Sequence, residues 1–137
     1  MVAYIYKQLS DKGINVQITC STGIACNVYP NMNACTVHNL LGLEDGRYIA
    51  DTINDIHFNS PHNSYVMENL SRVQCLKVDA CSMLSKKTFE TIAVCSRKSG
   101  KVQLIFVGDF LQLPPVANLD YDDGGEFCFQ SRQFSVF

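Results

Sequence analysis

Residues 102–116 read VQLIFVGDFLQLPPV, six mostly apolar residues that break on Gly108-Asp109 and leave through Pro114-Pro115. The run is short and rich in β-branched and aromatic side chains. It predicts a strand covered on both faces, as strands of a parallel sheet are. Gly and Asp make a tight strand end, and two prolines forbid a helix and fix an extended exit. VQCLKV (73–78) is a second run of the same kind, and NVQITC (15–20) alternates and is β-branched. Between the later two strands, Phe89, Ile92 and Ala93 recur at helical spacing within 85–95. Val2, Ile5, Tyr6 and Leu9 do the same across 2–12, with Gly13 placed as a C-terminal cap. Short helices are expected at 24–28, after the Ser21-Thr22-Gly23 turn, and from a Thr36 cap to Leu43. Strands separated by helices imply right-handed crossovers and an open, mainly parallel sheet. The fold class is α/β, in one domain over 1–137. The polar stretch 44–69, with Gly46 and Asn59-Ser60-Pro61, reads as a loop or insertion.

The bulk numbers narrow the function. Of 137 residues 47% are apolar and 18% charged, which excludes a disordered tail. The formal net charge of −2 argues against strong autonomous gripping of nucleic-acid phosphates. No run approaches the roughly 20 apolar residues of a membrane span, and no secretory signal is visible at the start. Seven cysteines without framework spacing and without a CxxC pair suit a reduced, intracellular chain.

In sheets of this kind chemistry sits at the carboxyl ends of the strands. Three such ends stand out. Thr19-Cys20-Ser21-Thr22-Gly23 offers hydroxyls and backbone N–H groups to a phosphate, though an ordinary capped turn has the same composition. Asp79, after VQCLKV, is placed as a Mg²⁺ carboxylate would be, or as a helix cap. Gly108-Asp109 with Gln112 is the most specific string, since an amide can sense a terminal phosphate without adding charge.

Taken in order, these strings resemble the PIF family of superfamily one B DNA helicases. GDFLQLPPV is similar to that family's motif III, TCSTGIA (19–25) to motif Ia, and Thr36-Val37-His38-Asn39-Leu40-Leu41-Gly42 to its T-[IV]-H-x-x-x-G segment. VDACSML (78–84) resembles the Walker B segment D-E-x-S-M-L, and Phe127-Cys128-Phe129-Gln130-Ser131 the F-x-F-x-S segment. The resemblance implies a RecA-like P-loop NTPase core in an ATP-dependent 5′–3′ helicase acting in replication, repair or recombination, in the nucleus or mitochondrion. ATP and Mg²⁺ are the implied cofactors. Asp79 would hold Mg²⁺, and Gln112, with Gly108 and Asp109, would face the nucleotide. Thr19, Ser21, Thr22, Gly23, Thr36 and His38 would lie along single-stranded DNA. For His38, a histidine bonded to main chain is the other reading.

Two departures temper this. No G-x-x-x-x-G-K-[ST] string occurs, so the core is expected to be truncated before the Walker A strand and loop. Loss of that strand predicts unpaired sheet edges, with a rearranged sheet, self-association or marginal stability. Ala80 stands where the resemblance places the Glu that activates water, and losing a general base costs about 10²–10⁴-fold in rate. A second motor domain, which would complete the ATP cleft, is missing too. The expectation is part of a motor that binds nucleotide weakly and cannot turn it over alone. The alternatives are a catalytically dead DNA- or protein-binding module and a transposon remnant.

Overall fold

The computed structural model describes residues 1–59, 61, 64–100 and 102–136, with the backbone alone at 54, 57 and 58. Four parallel strands, β1 (Val16–Cys20), β2 (Cys35–Thr36), β3 (Cys75–Asp79) and β4 (Gln103–Phe106), lie in the order β2-β1-β3-β4. The sheet is regular rather than rearranged: β1 pairs with β3 from Val16–Cys75 to Cys20–Asp79, and β3 with β4 from Cys75–Gln103 to Val78–Phe106. Among the described residues the outer edge of β4 has no strand partner.

Among the described residues six α-helices flank the strands: α1 (Val2–Asp11), α2 (Gly23–Cys26), α3 (Val37–Leu41), α4 (Ala50–Asn59), α5 (Ser64–Arg72) and α6 (Lys86–Ser99). Their ends follow local chemistry. Thr22, Thr36 and Ser85 cap α2, α3 and α6 by accepting the N–H three residues on. Gly42 closes α3 in the left-handed region (φ 59°), where glycine carries no Cβ penalty.

The period-two alternation of β3 divides the core. Leu76 and Val78 face the larger cluster, with Val37, Leu41, Ile53, Val66, Leu70, Phe89 and Ile92. Lys77 and Asp79 face the other side, where α1 and Tyr29 pack with Val2, Ile18 and Cys20. The stretch 44–69 is not the loop its polarity suggested. It carries most of α4 and α5, which seat Ile53, Val66 and Leu70 fully in the larger core. Few apolar side chains suffice because each helix needs only one stripe.

Candidate nucleotide and nucleic-acid site

Three chain turns share one rim of the sheet. Cys20 and Asp79 end β1 and β3 side by side, and Ser21 N–H donates to the Asp79 carbonyl at 3.3 Å. Val107 N–H donates to the Val78 carbonyl at 2.8 Å, and its own carbonyl accepts Cys81 N–H at 3.0 Å. Gly108 then passes so close that a Cβ there would lie 2.8 Å from both the nitrogen and Sγ of Cys81. Glycine is required here by proximity.

Both Asp79 carboxylate oxygens have donors. Oδ1 accepts the Ala80 N–H at 2.8 Å, and Oδ2 accepts the hydroxyl of Tyr29. Tyr29 is buried, and burial together with the Asp79 carboxylate pushes its phenol above the ordinary range. The sequence reading missed Tyr29, since a lone aromatic before Pro30 carries no motif signal. Behind Asp79 on the same strand face, Lys77 is wholly buried and donates its Nζ to the Val2 carbonyl at 3.1 Å. Burial lowers its pKa. Beside Asp79, burial and then Cys26 push the Cys20 thiol up to about 12. Ala80 sits in the left-handed region (φ 54°), an uncommon place for a residue with a Cβ.

Past Gly108 the chain turns on Asp109. Its Oδ1 accepts Leu111 N–H at 2.9 Å and its Oδ2 accepts the Gln112 amide at 3.3 Å, so Gln112 is exposed but tethered. Phe110 packs edge-on against Phe127 and Phe129, whose rings stack at 5.0 Å. Between those two, Cys128 is buried and points its Sγ at the Cys81 carbonyl, while Ser131 donates to Glu90. The F-x-F alternation thus pins the 108–112 turn to the segment after Asp79.

The other predicted residues separate. Ser21, Thr22, Gly23 and His38 reach the surface or a cavity beside it. Thr36 is half-buried, its hydroxyl accepting Asn39 N–H as the α3 cap. Thr19 is not brought to the surface: it is buried and donates its hydroxyl to the Cys35 carbonyl at 2.9 Å, bracing β2. The glycine at 23 has open space where a Cβ would be, so no close packing demands it.

The PIF1-like helicase family model matches residues 1–121. The chain belongs to the PIF1-like helicase family. It is 34% identical over 126 residues to the ATP-dependent DNA helicase PIF1 of Saccharomyces cerevisiae, covering 86% of this chain and 14% of that one. Against the zebrafish (Danio rerio) PIF1 it is 32% identical over 124 residues, 85% of this chain and 18% of that one. Among solved structures, the Pif1 helicase of Candida albicans superposes with a TM-score of 0.78 at 25% identity, over 98% of this chain and 30% of that one. A Bacteroides Pif1 in complex with ADP-AlF3 and single-stranded DNA gives 0.69 at 25% identity, over 96% and 32%. The chain therefore spans less than a fifth of the curated relatives it matches and about a third of the solved ones. The α/β fold expected from the strand pattern, RecA-like by the resemblance, is the fold of these neighbours.

For a PIF1-like chain the fit to Mg²⁺ can be judged on its donors. Among the described residues no group of three or more His, Cys, Asp or Glu could hold a metal ion. One carboxylate suits Mg²⁺ only when nucleotide phosphates and water complete the octahedron. Asp79 fits that supporting role, through lone pairs that Tyr29 and Ala80 leave open, and not the role of a free-cation site.

Proposed function

We propose that this PIF1-like chain is part of the first motor domain of a 5′–3′ DNA helicase, contributing one wall of the ATP cleft and a stretch of the single-stranded DNA path, and that alone it does not hydrolyse ATP. The carrying observation is the shared rim. Asp79, the Asp109–Gln112 turn and the Ser21–Gly23 turn are fastened by backbone bonds through Val78, Cys81 and Val107. A carboxylate that supports Mg²⁺ and an amide that senses a terminal phosphate thereby stand one strand apart.

In this reading Asp79 holds the nucleotide-borne Mg²⁺ directly or through water. Gln112 leaves Asp109 for the γ-phosphate and carries that signal to a second motor domain, with Gly108 and Asp109 shaping the turn. Thr22, Gly23, Thr36 and His38 guide DNA by backbone contacts, which are sequence-tolerant as a translocating motor requires. A methyl group at Ala80 neither takes a proton nor orients water, and the 137 residues hold no Walker A string to cradle phosphates. Nucleotide binding is accordingly weak. The outer edge of β4, which has no strand partner among the described residues, is the place for self-association.

The test is a pair of measurements on the purified chain. Titration with a single-stranded oligonucleotide should give weak binding whose logarithm falls linearly with log salt, in proportion to the phosphates engaged. ATP turnover should be absent, and Ala80→Glu should not create it. Turnover by either chain, or DNA binding indifferent to salt, overturns the assignment. Ala80 also favours a second reading, a binding module that kept the fold and lost the motor. Strong DNA binding by the isolated chain, unimproved by any second domain, would select it.

A further inference from the structure

Three thiols meet where the first strand ends. Cys20 closes β1, Cys26 closes the single turn of α2, and Cys35 opens β2 in register with Thr19. Cys20 is wholly buried in the smaller core, and Cys26 packs against it half-buried. We propose that Cys26 is a peroxide-reactive thiol whose oxidation ends in a Cys20–Cys26 disulfide, tying α2 to the end of β1 and stiffening the turn between them.

Exposure selects the sulfur that reacts first. All seven cysteines are free thiols; five are buried, and only Cys26 and Cys35 are half-exposed. Oxidation follows access, so it begins at one of these two. Cys35 is braced on the edge strand: its Sγ accepts the Gln17 amide at 3.7 Å and its carbonyl the Thr19 hydroxyl at 2.9 Å. Contact selects the partner. Cys26 lies in hydrogen-bonding range of the Cys20 thiol, whereas Cys35 feels only its charge. A disulfide needs Cβ atoms about 3.5–4.5 Å apart. The helix can yield to that demand. It is four residues long, none of them fully buried, and is held at its start by Thr22 Oγ, which accepts Ala25 N–H at 3.3 Å.

Hydrogen peroxide is the co-reactant. The Cys26 sulfur, its proton lost to water, attacks one peroxide oxygen. The S–O bond forms, the O–O bond breaks, and the hydroxide released recovers that proton as water. Cys20 then attacks the sulfur of the sulfenic acid. The S–S bond forms, the S–O bond breaks, and the departing hydroxide takes the Cys20 proton. The two sulfurs together give up the electron pair that peroxide gains. The ring so closed contains Ser21–Ala25. Its start is already fixed, because Ser21 N–H donates to the Asp79 carbonyl at 3.3 Å, and the disulfide fixes its end.

The purified chain is treated with hydrogen peroxide, quenched in acid, unfolded, alkylated and digested with trypsin, beside a sample reduced with dithiothreitol. One tryptic peptide, 13–47, carries Cys20, Cys26 and Cys35, so mass spectrometry with fragmentation reads all three together. Alkylation at Cys20 and Cys26 should fall by equal fractions while Cys35 stays alkylated, and the reductant should restore both. Amide exchange over Thr22–Cys26 should slow in the oxidised chain. Cys35→Ser should form the bond as before, and in Cys20→Ala dimedone should trap a sulfenic acid at Cys26. The wild-type mapping decides the matter even where a variant fails to fold. A Cys26–Cys35 bond, an unreacted Cys26, or loss at Cys26 with Cys20 fully alkylated overturns the proposal. Unchanged exchange around an intact Cys20–Cys26 bond overturns the stiffening of the turn.

Discussion

Replacing Lys77 by Met tests whether the centre of the sheet carries an electrostatic burden. Lys77 is fully buried on the middle strand and has one hydrogen bond, to the Val2 carbonyl at 3.1 Å. That carbonyl also takes part in the first turn of α1, so the substitution leaves it an acceptor in use. Removing the ammonium forfeits a charged hydrogen bond worth about 1.5–3 kcal/mol and some attraction to Asp79. It also removes a desolvation cost of several kcal/mol per buried ion. Met fills a similar volume without polar demands. The balance predicts a gain of about 1–3 kcal/mol at pH 7, or roughly 3–5 °C in Tm for each kcal/mol in a domain of this size. The pH dependence supplies a second readout. Burial lowers the Lys77 pKa below its ordinary 10.5. Between the lowered value and 10.5 the unfolded chain holds more protons than the folded one, so this group makes stability rise with pH across that window. The difference between wild type and Lys77→Met should therefore shrink as pH approaches 10.5. Urea unfolding followed by far-UV circular dichroism, at pH 7 and in steps above, measures both. A loss of 2 kcal/mol or more at pH 7 would refute the reasoning and make the Lys77–Asp79 attraction the larger effect.

Three further substitutions probe the rim. Gly108→Ala should cost about 1–3 kcal/mol in urea unfolding, because its Cβ would lie 2.8 Å from the Cys81 nitrogen as well as from Sγ. Adding Cys81→Ala should recover little, since the backbone clash stays. Ala80→Gly should be neutral to stabilising, by up to about 1.5 kcal/mol. Relief of a left-handed Cβ is worth about 1–2, less the 0.5–1 that glycine's extra unfolded-state freedom costs; a destabilised variant would show that the Ala80 methyl packs usefully. Tyr29→Phe should lose about 1.5–3 kcal/mol with its bond to a carboxylate, while freeing Asp79 Oδ2 and strengthening broadening of nearby resonances by Mn²⁺ with ADP. In wild type the Tyr29 contribution should hold up to about pH 10 and decline above it, because its folded pKa is raised above 10.0. Unchanged Mn²⁺ broadening in Tyr29→Phe would show that the tyrosine does not compete with the metal.

The parallel sheet was readable because its three main strands are short apolar runs bounded by turn residues, a pattern that leaves few other architectures. The cap at Thr36 was local and equally plain. The helices within 44–69 were obscured because Ile53, Val66 and Leu70 are scattered among polar residues, and burial of so few depends on a sheet face already formed. Thr19 was read as part of a phosphate turn since its neighbours qualify, yet strand alternation turns its hydroxyl onto Cys35. Tyr29 lies 50 residues from Asp79 in sequence, and no spacing rule links them. Lys77 was visible in VQCLKV, but a run reads as buried on its apolar majority, and the one charge in it passes unexamined.

These omissions bear on how the rim works. The groups that sequence motifs single out, Asp79, Gln112 and Ser21–Gly23, are the ones that the proposed function places against ligand. Those it passes over hold them: Tyr29 and the Ala80 N–H on the two oxygens of Asp79, Asp109 on Gln112, and Cys128 under the ring pair that carries Phe110. Each restraint is a single hydrogen bond or ring contact, of the size a bound nucleotide can exchange for its own. In the proposed reading, Asp79 keeps or trades Tyr29 when nucleotide-borne Mg²⁺ binds, and Gln112 leaves Asp109 to reach a phosphate. The Asp79 main chain is at the same time bonded to Ser21 N–H. A shift of the β3 end would therefore be felt first at the Ser21–Gly23 turn, which is where coupling between nucleotide and nucleic acid should be sought.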